Sequence, residues 1–354
     1  MGSIGADDTR ETPVKLRRLG LTAASSILVL TGAVTAATTA SSSAASLKSV
    51  TFAYDFPGPD FELIPVVVAE DRGYFKAHGL NVKVDFPSNT SSTTQFLTTG
   101  TAQFGFITTT DMAVAVNVGA PLLSIANYSM RNNWALFAKP GVSLQAKTLH
   151  KTLRGKRIFS YGDTWTEAML PFVLKYAHLT TSQVKIITNP TANDLTYLLA
   201  GKVDFSTSTT NYELPGFAGA HVKGKLSQLL GTQAGAPNIP IWVYAVTRSY
   251  AQSNPATVRA FLAAILQATK WAAANPVAAA RDFDKAYPKS GYTNAYNALG
   301  WKLTVPFLTN AKHQYFTETN AQWSTLTSAL KGIKLITKVA SPSSYYTNKY
   351  QPAQ

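Results

Sequence analysis

The stretch KSVTFAYDFPGPDFE, residues 48–62, decides the fold, together with the run LIPVVVAEDRGYFKAHGLNVKV that continues to residue 84. Val50, Phe52 and Tyr54 alternate with polar or small residues, which is typical of a strand. The Pro-Gly-Pro segment at 57–59 ends this strand in a loop. The first part of the stretch therefore predicts a strand followed by a tight loop.

The second part predicts a helix and another strand. Apolar side chains recur at helical spacing over residues 64–76, Gly79 fits a helix C-terminus, and a strand begins near Val82. Strand, loop, helix and strand form a βαβ unit, in which ligands bind beyond the carboxyl ends of the strands. We therefore expect Asp55, Phe56 and Pro57 to contact a small molecule.

These residues also resemble a known family, the periplasmic solute-binding proteins of ABC importers. The segments AEDRGYFK at 69–76 and GLNV at 79–82 resemble the group that binds nitrate, sulfonates, taurine and thiamine pyrimidine precursors. The segment DFPGPD at 55–60 is most similar to the pyrimidine-precursor branch. The resemblance implies an α/β, two-lobe, type II periplasmic-binding-protein fold, in which each lobe is a mixed sheet flanked by helices and two crossover strands join the lobes.

An internal repeat supports two similar lobes. Residues 97–104 and 198–205 share the form L-x-x-G-x-(A/V)-(Q/D)-F, which predicts a helix end, a glycine turn and a buried strand. Apolar runs at 134–138 and 241–247 flank the second copy. The resemblance places the two crossings there, so that lobe one is 47–136 plus 240–354 and lobe two is 137–239.

The first residues predict export. Basic residues end at Arg18, an apolar run of small residues covers 19–37, and Val-Thr-Ala at 34–36 is typical of a cleavage site. We predict a signal peptide at 1–36, a linker at 37–46, and a place in the periplasm or cell envelope. The chain has no cysteine, so we expect no lipoprotein anchor, disulfide or thiolate site.

The formal net charge is +14, but the basic residues are scattered singly along the chain. A nucleic-acid site needs clustered bases with interleaved aromatic residues. A solvated basic face is the simpler interpretation, and we predict no nucleic-acid partner. We expect a monomer whose partners are a small-molecule ligand and an ABC permease in the membrane.

Two further loops of lobe one carry candidate ligand contacts. Thr108, Thr109 and Thr110 follow a predicted strand and begin a helix, where hydroxyls and free backbone N–H groups bind ligands. The alternative is that Thr110 only caps the helix. Asn127 follows another strand, and there a structural role is the alternative to a ligand contact.

The loop that opens lobe two contains Tyr161, Asp163 and Trp165. Asp163 departs from the sulfonate and nitrate binders, because a fixed carboxylate repels an anionic ligand by a few kcal/mol at about 4 Å. The alternative is that Asp163 is a plain helix N-cap.

The segment after the second buried strand contains Asn211, Tyr212 and Glu213. The resemblance implies that Glu213 faces the ligand, where it would pair with Asp55 on an aminopyrimidine. Flat rings would stack on aromatic side chains, among which we include Trp242. The alternative for each aromatic residue is a place in the core.

The sequence gives little support for an enzyme. The five histidines have no metal-ligand spacing and no G-x-S-x-G is present. The pyrimidine synthases that resemble this family need a cysteine-rich stretch. We therefore predict a binding protein with no catalytic residue, metal or cofactor, whose ligand is a thiamine pyrimidine precursor. The alternatives are a sulfonate, taurine or nitrate binder, and an enzyme that acts on a pyrimidine or related small molecule.

Overall fold

A computed structural model of the chain describes residues 46–87, 92–190 and 192–354. The predicted signal peptide and all but the last residue of the predicted linker lie outside the described residues. Residues 45–354 group into a single unit by their backbone contacts.

The described residues contain ten strands and thirteen α-helices. The strands are β1 (Lys48–Ala53), β2 (Leu80–Asp85), β3 (Phe104–Thr108), β4 (Leu122–Asn127), β5 (Trp134–Ala138), β6 (Arg157–Ser160), β7 (Lys185–Thr188), β8 (Ser206–Thr209), β9 (Ser227–Leu230) and β10 (Trp242–Thr247). The α-helices are α1 (Ile64–Asp71), α2 (Tyr74–Ala77), α3 (Ser92–Thr98), α4 (Thr109–Asn117), α5 (Leu149–Leu153), α6 (Thr164–Tyr176), α7 (Asp194–Leu199), α8 (Thr210–Gly219), α9 (Arg248–Ser253), α10 (Pro255–Ala274), α11 (Pro276–Ala286), α12 (Asn294–Thr304) and α13 (Asn320–Gly332). Short 3₁₀ helices lie at Phe61–Leu63, Ala146–Thr148, Thr181–Gln183, Gly231–Ala234, Val305–Phe307 and Pro342–Ser344.

The first sheet, sheet A, has the strand order β2-β1-β3-β10-β4. β1 is parallel to β2 and β3, and the late strand β10 is antiparallel to both β3 and β4. The predicted βαβ unit is therefore present. Its helix, predicted as one element over 64–76, is divided into α1 and α2 because Gly73 has a φ of +70°, which interrupts the helical backbone.

The second group of strands, sheet B, repeats this arrangement. β5 is antiparallel to β8 and β9, and β6 is parallel to β7. A parallel bridge between Ile158 and Phe205 places β6 beside the segment that leads into β8. The resulting order, β7-β6-β8-β5-β9, matches that of sheet A strand for strand. This confirms the predicted fold class, while the predicted lobe boundaries stay a prediction, and β5 spans the first of them.

Aromatic packing fixes the main helix of the chain against sheet A. The ring of Phe261 on α10 stacks on that of Phe104 with centroids 3.9 Å apart, and it also contacts Phe52 and Phe75. All four side chains are buried. Burying one such ring contributes about 2–3 kcal/mol, so this cluster holds α2 and α10 on one side of the sheet.

Candidate functional site

The loops after β1 and β3 lie side by side. The two strands are parallel neighbours, with Phe52 beside Phe104, so their carboxyl ends meet at one edge of sheet A. Asp55 lies in the first loop and Thr108 at the start of the second. Trp242 begins β10 directly opposite Thr108, because that strand runs the other way. The predicted residues of this half thus come together, except that Pro57 is exposed.

Asp55 is the unusual side chain at this edge. It is fully buried, and neither carboxylate oxygen has a hydrogen-bond partner at ordinary geometry. Burial raises the pKa of Asp55 well above its ordinary value, and the Asp111 carboxyl raises it further. The nearby Thr93 hydroxyl opposes this shift, while Asp163 and Glu62 add to it. A buried carboxyl without a partner is costly in its charged form, so the side chain is protonated or awaits a donor.

Four aromatic rings line up beside Asp55. The Phe56 ring is 5.2 Å from that of Trp242, which stacks on Phe106 with centroids 5.0 Å apart at 14°. Tyr54 stacks on the other side of Phe106. Phe56 is only half-buried, and the Nε1–H of the buried Trp242 has no acceptor. Of these groups, the half-buried Phe56 ring and the Trp242 N–H without an acceptor are the ones that a ligand could contact.

The loop after Asp55 contains two acids that the sequence analysis missed. The Tyr54 hydroxyl donates to Asp60 Oδ1 over 2.5 Å, and that oxygen also accepts from the Glu62 backbone N–H at 2.9 Å. Burial raises the pKa of Asp60 to about 6 and that of Glu62 to about 8, with the Asp60 charge contributing to the second. The Pro-Gly-Pro-Asp pattern was the available signal, since it places Asp60 just before a helix.

The three threonines hold the next loop. Thr108 is the N-cap of α4, because its hydroxyl oxygen accepts from the Asp111 N–H at 2.9 Å. The alternative that Thr110 caps this helix is therefore wrong, because the N-cap lies two residues earlier, at Thr108. The Thr110 hydroxyl pairs with that of Thr108 at 2.7 Å, and the Thr109 hydroxyl donates to the Pro240 carbonyl at 2.8 Å.

Asp111 links the two halves of the molecule. Its Oδ2 accepts from Thr108 at 2.6 Å, and its Oδ1 accepts from the hydroxyl of Thr164, on α6, at 2.7 Å. Burial raises the pKa of Asp111 to about 6, although both hydroxyl bonds lower it. Asp111 was not among the residues predicted from the sequence, although it stands directly after the threonine triplet.

The start of α6 supplies the facing residues. Asp163 is the N-cap of this helix and accepts from the Thr166 N–H at 2.7 Å, so the capping interpretation is confirmed. Burial still raises its pKa, against several backbone hydrogen bonds. The neighbouring Trp165 is 3% exposed, and its Nε1–H has no acceptor.

Asn211 forms a second link between the halves. Its amide nitrogen donates to Glu62 Oε1 at 3.0 Å and to the Thr304 hydroxyl at 2.9 Å, and its oxygen accepts from Asn133 at 2.7 Å. Every polar atom of this side chain has a partner. Asn211 therefore connects α8 to the loop after β1 rather than presenting a free amide.

Glu213 does not join Asp55. Its strongest charged neighbour is Asp194, and burial followed by that neighbour raises the pKa of Glu213 well above its ordinary value. Asp194 Oδ2 and Glu213 Oε1 both lack a donor, while Asp194 Oδ1 accepts from the Tyr161 hydroxyl at 2.7 Å. Two carboxyl groups so placed are satisfied by sharing one proton. Tyr161, Asp194 and Glu213 thus form a cluster of their own in sheet B's half.

Two other predicted residues are engaged elsewhere. The Asn127 amide exchanges two 2.9 Å hydrogen bonds with that of Gln322 and donates to the Thr317 carbonyl, so it fixes the C-terminal segment. The Tyr212 hydroxyl bonds to that of Tyr292, and its backbone carbonyl accepts from Tyr296. These contacts are structural and tie β4 and α8 to the C-terminal third of the chain.

Comparison with known proteins identifies the family. A family model described as NMT1/THI5 like matches residues 60–279. The chain belongs to the NMT1/THI5-like family. The chain is also similar in fold to two solved structures: the periplasmic aliphatic sulphonate-binding protein SsuA of Escherichia coli and the periplasmic nitrate-binding protein NrtA of Synechocystis PCC 6803.

Both structures have the fold described above at low sequence identity. SsuA is 17% identical and has a TM-score of 0.64, over 87% of this chain and 94% of that one. NrtA is 12% identical and has a TM-score of 0.63, over 86% and 87% of the two chains. The resemblance noted from the sequence is thereby confirmed at the level of family and fold.

A curated relative corrects one prediction. The 4-amino-5-hydroxymethyl-2-methylpyrimidine phosphate synthase THI13 of Saccharomyces cerevisiae is 22% identical over 251 residues, which are 67% of this chain and 71% of that protein. The prediction that the chain is not an enzyme is contradicted by this match, because the relative is a synthase. The missing hydrolase and metal motifs therefore do not exclude activity in this family.

No helix in the part of the chain that the structure describes has the length and apolar character needed to cross a membrane.

Proposed function

We propose that this NMT1/THI5-like protein is an exported solute-binding protein that closes on a small heteroaromatic ligand between its two halves. The observation that carries the proposal is Asp55, a fully buried carboxyl whose two oxygens have no partner at ordinary hydrogen-bond geometry, at the carboxyl ends of the parallel strands β1 and β3. Ligands in sheets of this kind bind at that edge. The family, and the fold shared with two periplasmic binding proteins, support the same conclusion.

The groups around Asp55 fit a flat ring with both donors and acceptors. Phe56 and Trp242 supply aromatic rings, the two Asp55 oxygens are free to accept hydrogen bonds, and the Trp165 and Trp242 N–H groups each lack an acceptor. An aminopyrimidine has an exocyclic amine that donates and ring nitrogens that accept. The name of THI13 points to the same ring. A thiamine-type pyrimidine is therefore the ligand that we propose.

Closure would follow from the contacts between the halves. Asp111 bonds to Thr164, and Glu62 bonds to Asn211, in each case from sheet A's half to sheet B's half. A ligand that contacts both halves stabilises the closed form relative to an open one. We propose that the closed monomer then delivers its ligand to an ABC permease.

Two other functions remain as alternatives. A sulfonate, taurine or nitrate ligand is supported by the named ligands of SsuA and NrtA, but the carboxyl groups around the site oppose an anion. Turnover of a pyrimidine is supported by the synthase THI13. The same binding experiment separates all three.

The test is calorimetric titration of the purified full chain with 4-amino-5-hydroxymethyl-2-methylpyrimidine, an alkanesulfonate, taurine and nitrate. We expect saturable binding of the pyrimidine alone, and its recovery unchanged by mass spectrometry. Weaker binding by Asp55→Asn, and unchanged binding by the surface variant Asp282→Asn, would support a ligand at Asp55. Binding of the sulfonate alone, or a chemically altered pyrimidine, would replace the proposal with one of the alternatives.

A further inference from the structure

Four carboxyl groups share the space around the proposed ligand. Asp111, Asp163 and Glu62 are the charged groups that act on Asp55, and all three are acids. They come from three separate elements, namely the start of α4, the start of α6 and the loop after β1. The fold therefore gathers acidic groups at one place from positions far apart in the sequence.

No basic side chain balances this group within the described residues, which include every Lys and Arg after residue 45. The ion pairs there are Arg72–Asp282, Lys83–Asp85, Arg157–Asp204 and Lys285–Asp71, each with partly exposed side chains. The hydrogen bonds received by Glu62, Asp111 and Asp163 come from an amide, from hydroxyls and from a backbone N–H. These three acids therefore receive hydrogen bonds only from neutral donors, and no basic side chain of the described residues balances them.

Asp55 is different from the other three because no donor reaches its oxygens at ordinary hydrogen-bond geometry, although the Thr93 hydroxyl is nearby. Both of its oxygens are buried and unpartnered, and the half-buried Phe56 ring follows it in the chain. The Nε1–H groups of Trp165 and Trp242 are buried and unpartnered as well. These groups thus offer a ligand two acceptors, the Asp55 oxygens, and two donors, the Trp165 and Trp242 N–H groups.

We propose that this site selects ligands that carry a positive charge, with a protonated amine or heteroaromatic cation bonded to Asp55 and its ring against Phe56 and Trp242. The proposal rests on the proposed function, since it names the charge class of the same ligand. A charged donor bonded to a carboxylate forms a shorter and stronger hydrogen bond than a neutral one. A cation beside aromatic rings gains further from their negative faces.

The same arrangement rejects anions. A ligand phosphate or sulfonate at this position would meet four carboxyl groups and no basic side chain of the described residues. The difference between a neutral and a charge-assisted hydrogen bond corresponds to about tenfold in affinity. We therefore expect at least about tenfold preference for a cation over its neutral isostere, and a larger preference over an anion.

The experiment compares three compounds that share one ring and are neutral, negatively charged or positively charged. The full chain is titrated with 4-amino-5-hydroxymethyl-2-methylpyrimidine, with its phosphate ester, and with the analogue in which an aminomethyl group replaces the hydroxymethyl group. We expect the aminomethyl cation to bind most tightly and the phosphate ester most weakly. Equal or tighter binding of the neutral or phosphorylated compound would overturn the charge selection while leaving a pyrimidine site in place.

If none of the three compounds binds, the proposed pyrimidine function is wrong. A pair of simpler aromatic compounds with opposite charges then tests which ligand charge the site selects. This pair is benzylammonium, whose charged amine carries N–H donors, and benzenesulfonate. Binding of the ammonium compound alone upholds the inference. Binding of the sulfonate, or of neither compound, overturns it.

Two variants assign the preference to its residues. Asp55→Asn keeps the shape of the side chain and should reduce the preference for the cation to about onefold, since the acceptor charge is removed. Asp163→Asn keeps a good N-cap on α6 and should weaken the preference partially. Asp282→Asn, at a partly exposed ion pair, is the matched control and should leave it unchanged. An unchanged preference in folded Asp55→Asn would contradict the proposal.

Discussion

The Thr164 hydroxyl donates a hydrogen bond to Asp111 Oδ1 over 2.7 Å, and this contact joins the first turn of α6 to the first turn of α4. The Thr110 hydroxyl lies 3.2 Å from the same Thr164 oxygen. The two helices follow β6 and β3, which occupy the two different sheets. A small hydroxyl thus connects the halves close to Asp55.

Thr164→Val should weaken ligand binding without unfolding the chain. Valine keeps the shape of threonine but removes the donor, and a hydrogen bond to a carboxylate contributes about 1.5–3 kcal/mol. We expect about tenfold weaker binding of the pyrimidine, measured by calorimetry. Thr152→Val, which removes an exposed intrahelical hydroxyl bond in α5, is the control. Equal affinities of the two variants would show that the contact has no part in closure.

Asp55→Asn should stabilise the ligand-free protein at pH 8. The wild-type carboxyl is buried without a donor, so its ionised form opposes folding, and the amide carries no charge. Asp204→Asn should have the opposite effect on stability. The Asp204 carboxylate is partly exposed and accepts two hydrogen bonds from the Arg157 side chain, so its charged form stabilises the folded state. That variant should lose about 0.5–1 kcal/mol. Denaturant unfolding of both variants at pH 8 gives the comparison, and a loss of stability in Asp55→Asn would show that the carboxyl has a partner after all.

The stability of the ligand-free chain should fall as the pH rises from about 4 to 8. Burial raises the pKa of Asp60 and Asp111 to about 6 and that of Glu62 to about 8, so the folded state holds protons that the unfolded state releases near pH 4. The stabilisation from these groups is complete below about pH 4 and is lost as the pH passes their folded-state values.

The measurement is the free energy of unfolding at intervals of pH, for the wild type and for Glu62→Gln. Glutamine keeps the oxygen that accepts from Asn211 and removes the titration, so the upper part of the slope should flatten. A wild-type stability that rises with pH over this range would mean that these carboxyl groups are solvated.

Tyr161→Phe should lower stability and leave affinity nearly unchanged. The Tyr161 hydroxyl donates to Asp194 Oδ1 at 2.7 Å, inside the cluster with Glu213, so its loss removes one buried hydrogen bond. We expect a cost of about 1 kcal/mol in thermal or denaturant unfolding. A large loss of pyrimidine affinity with normal stability would instead return Tyr161 to the ligand contacts that the sequence predicts.

Local patterns predicted the parts of the fold that local forces determine. The alternation at Val50, Phe52 and Tyr54 marks a strand because one face of it is buried, and the Pro-Gly-Pro segment marks its end. The repeat around Gly100 and Gly201 revealed that sheet B copies sheet A. The break at Gly73 was not predicted, because a glycine within a helical pattern is compatible with either a continuous or a divided helix.

The candidate site was predictable only in part. The position of Asp55 at a strand's carboxyl edge follows from the βαβ pattern. The partner of Glu213 does not, because Asp194 comes from another helix and only the tertiary structure brings the two carboxyl groups together. Asn211 and Asn127 are polar residues near predicted strand ends, which suggested ligand contacts. The structure shows instead that both amides are hydrogen-bonded to other side chains.

The strand order of sheet A has a consequence for synthesis. β3 and β4 each pair with β10, which is made more than a hundred residues after β4, so sheet A stays incomplete until residue 247 has left the ribosome. A chain stopped before that point exposes two unpaired strand edges, which favour association with other chains. If the protein is exported as we propose, a secretion machinery that takes up unfolded polypeptide would meet this intermediate before the sheet has been completed, and translocation would then compete with folding.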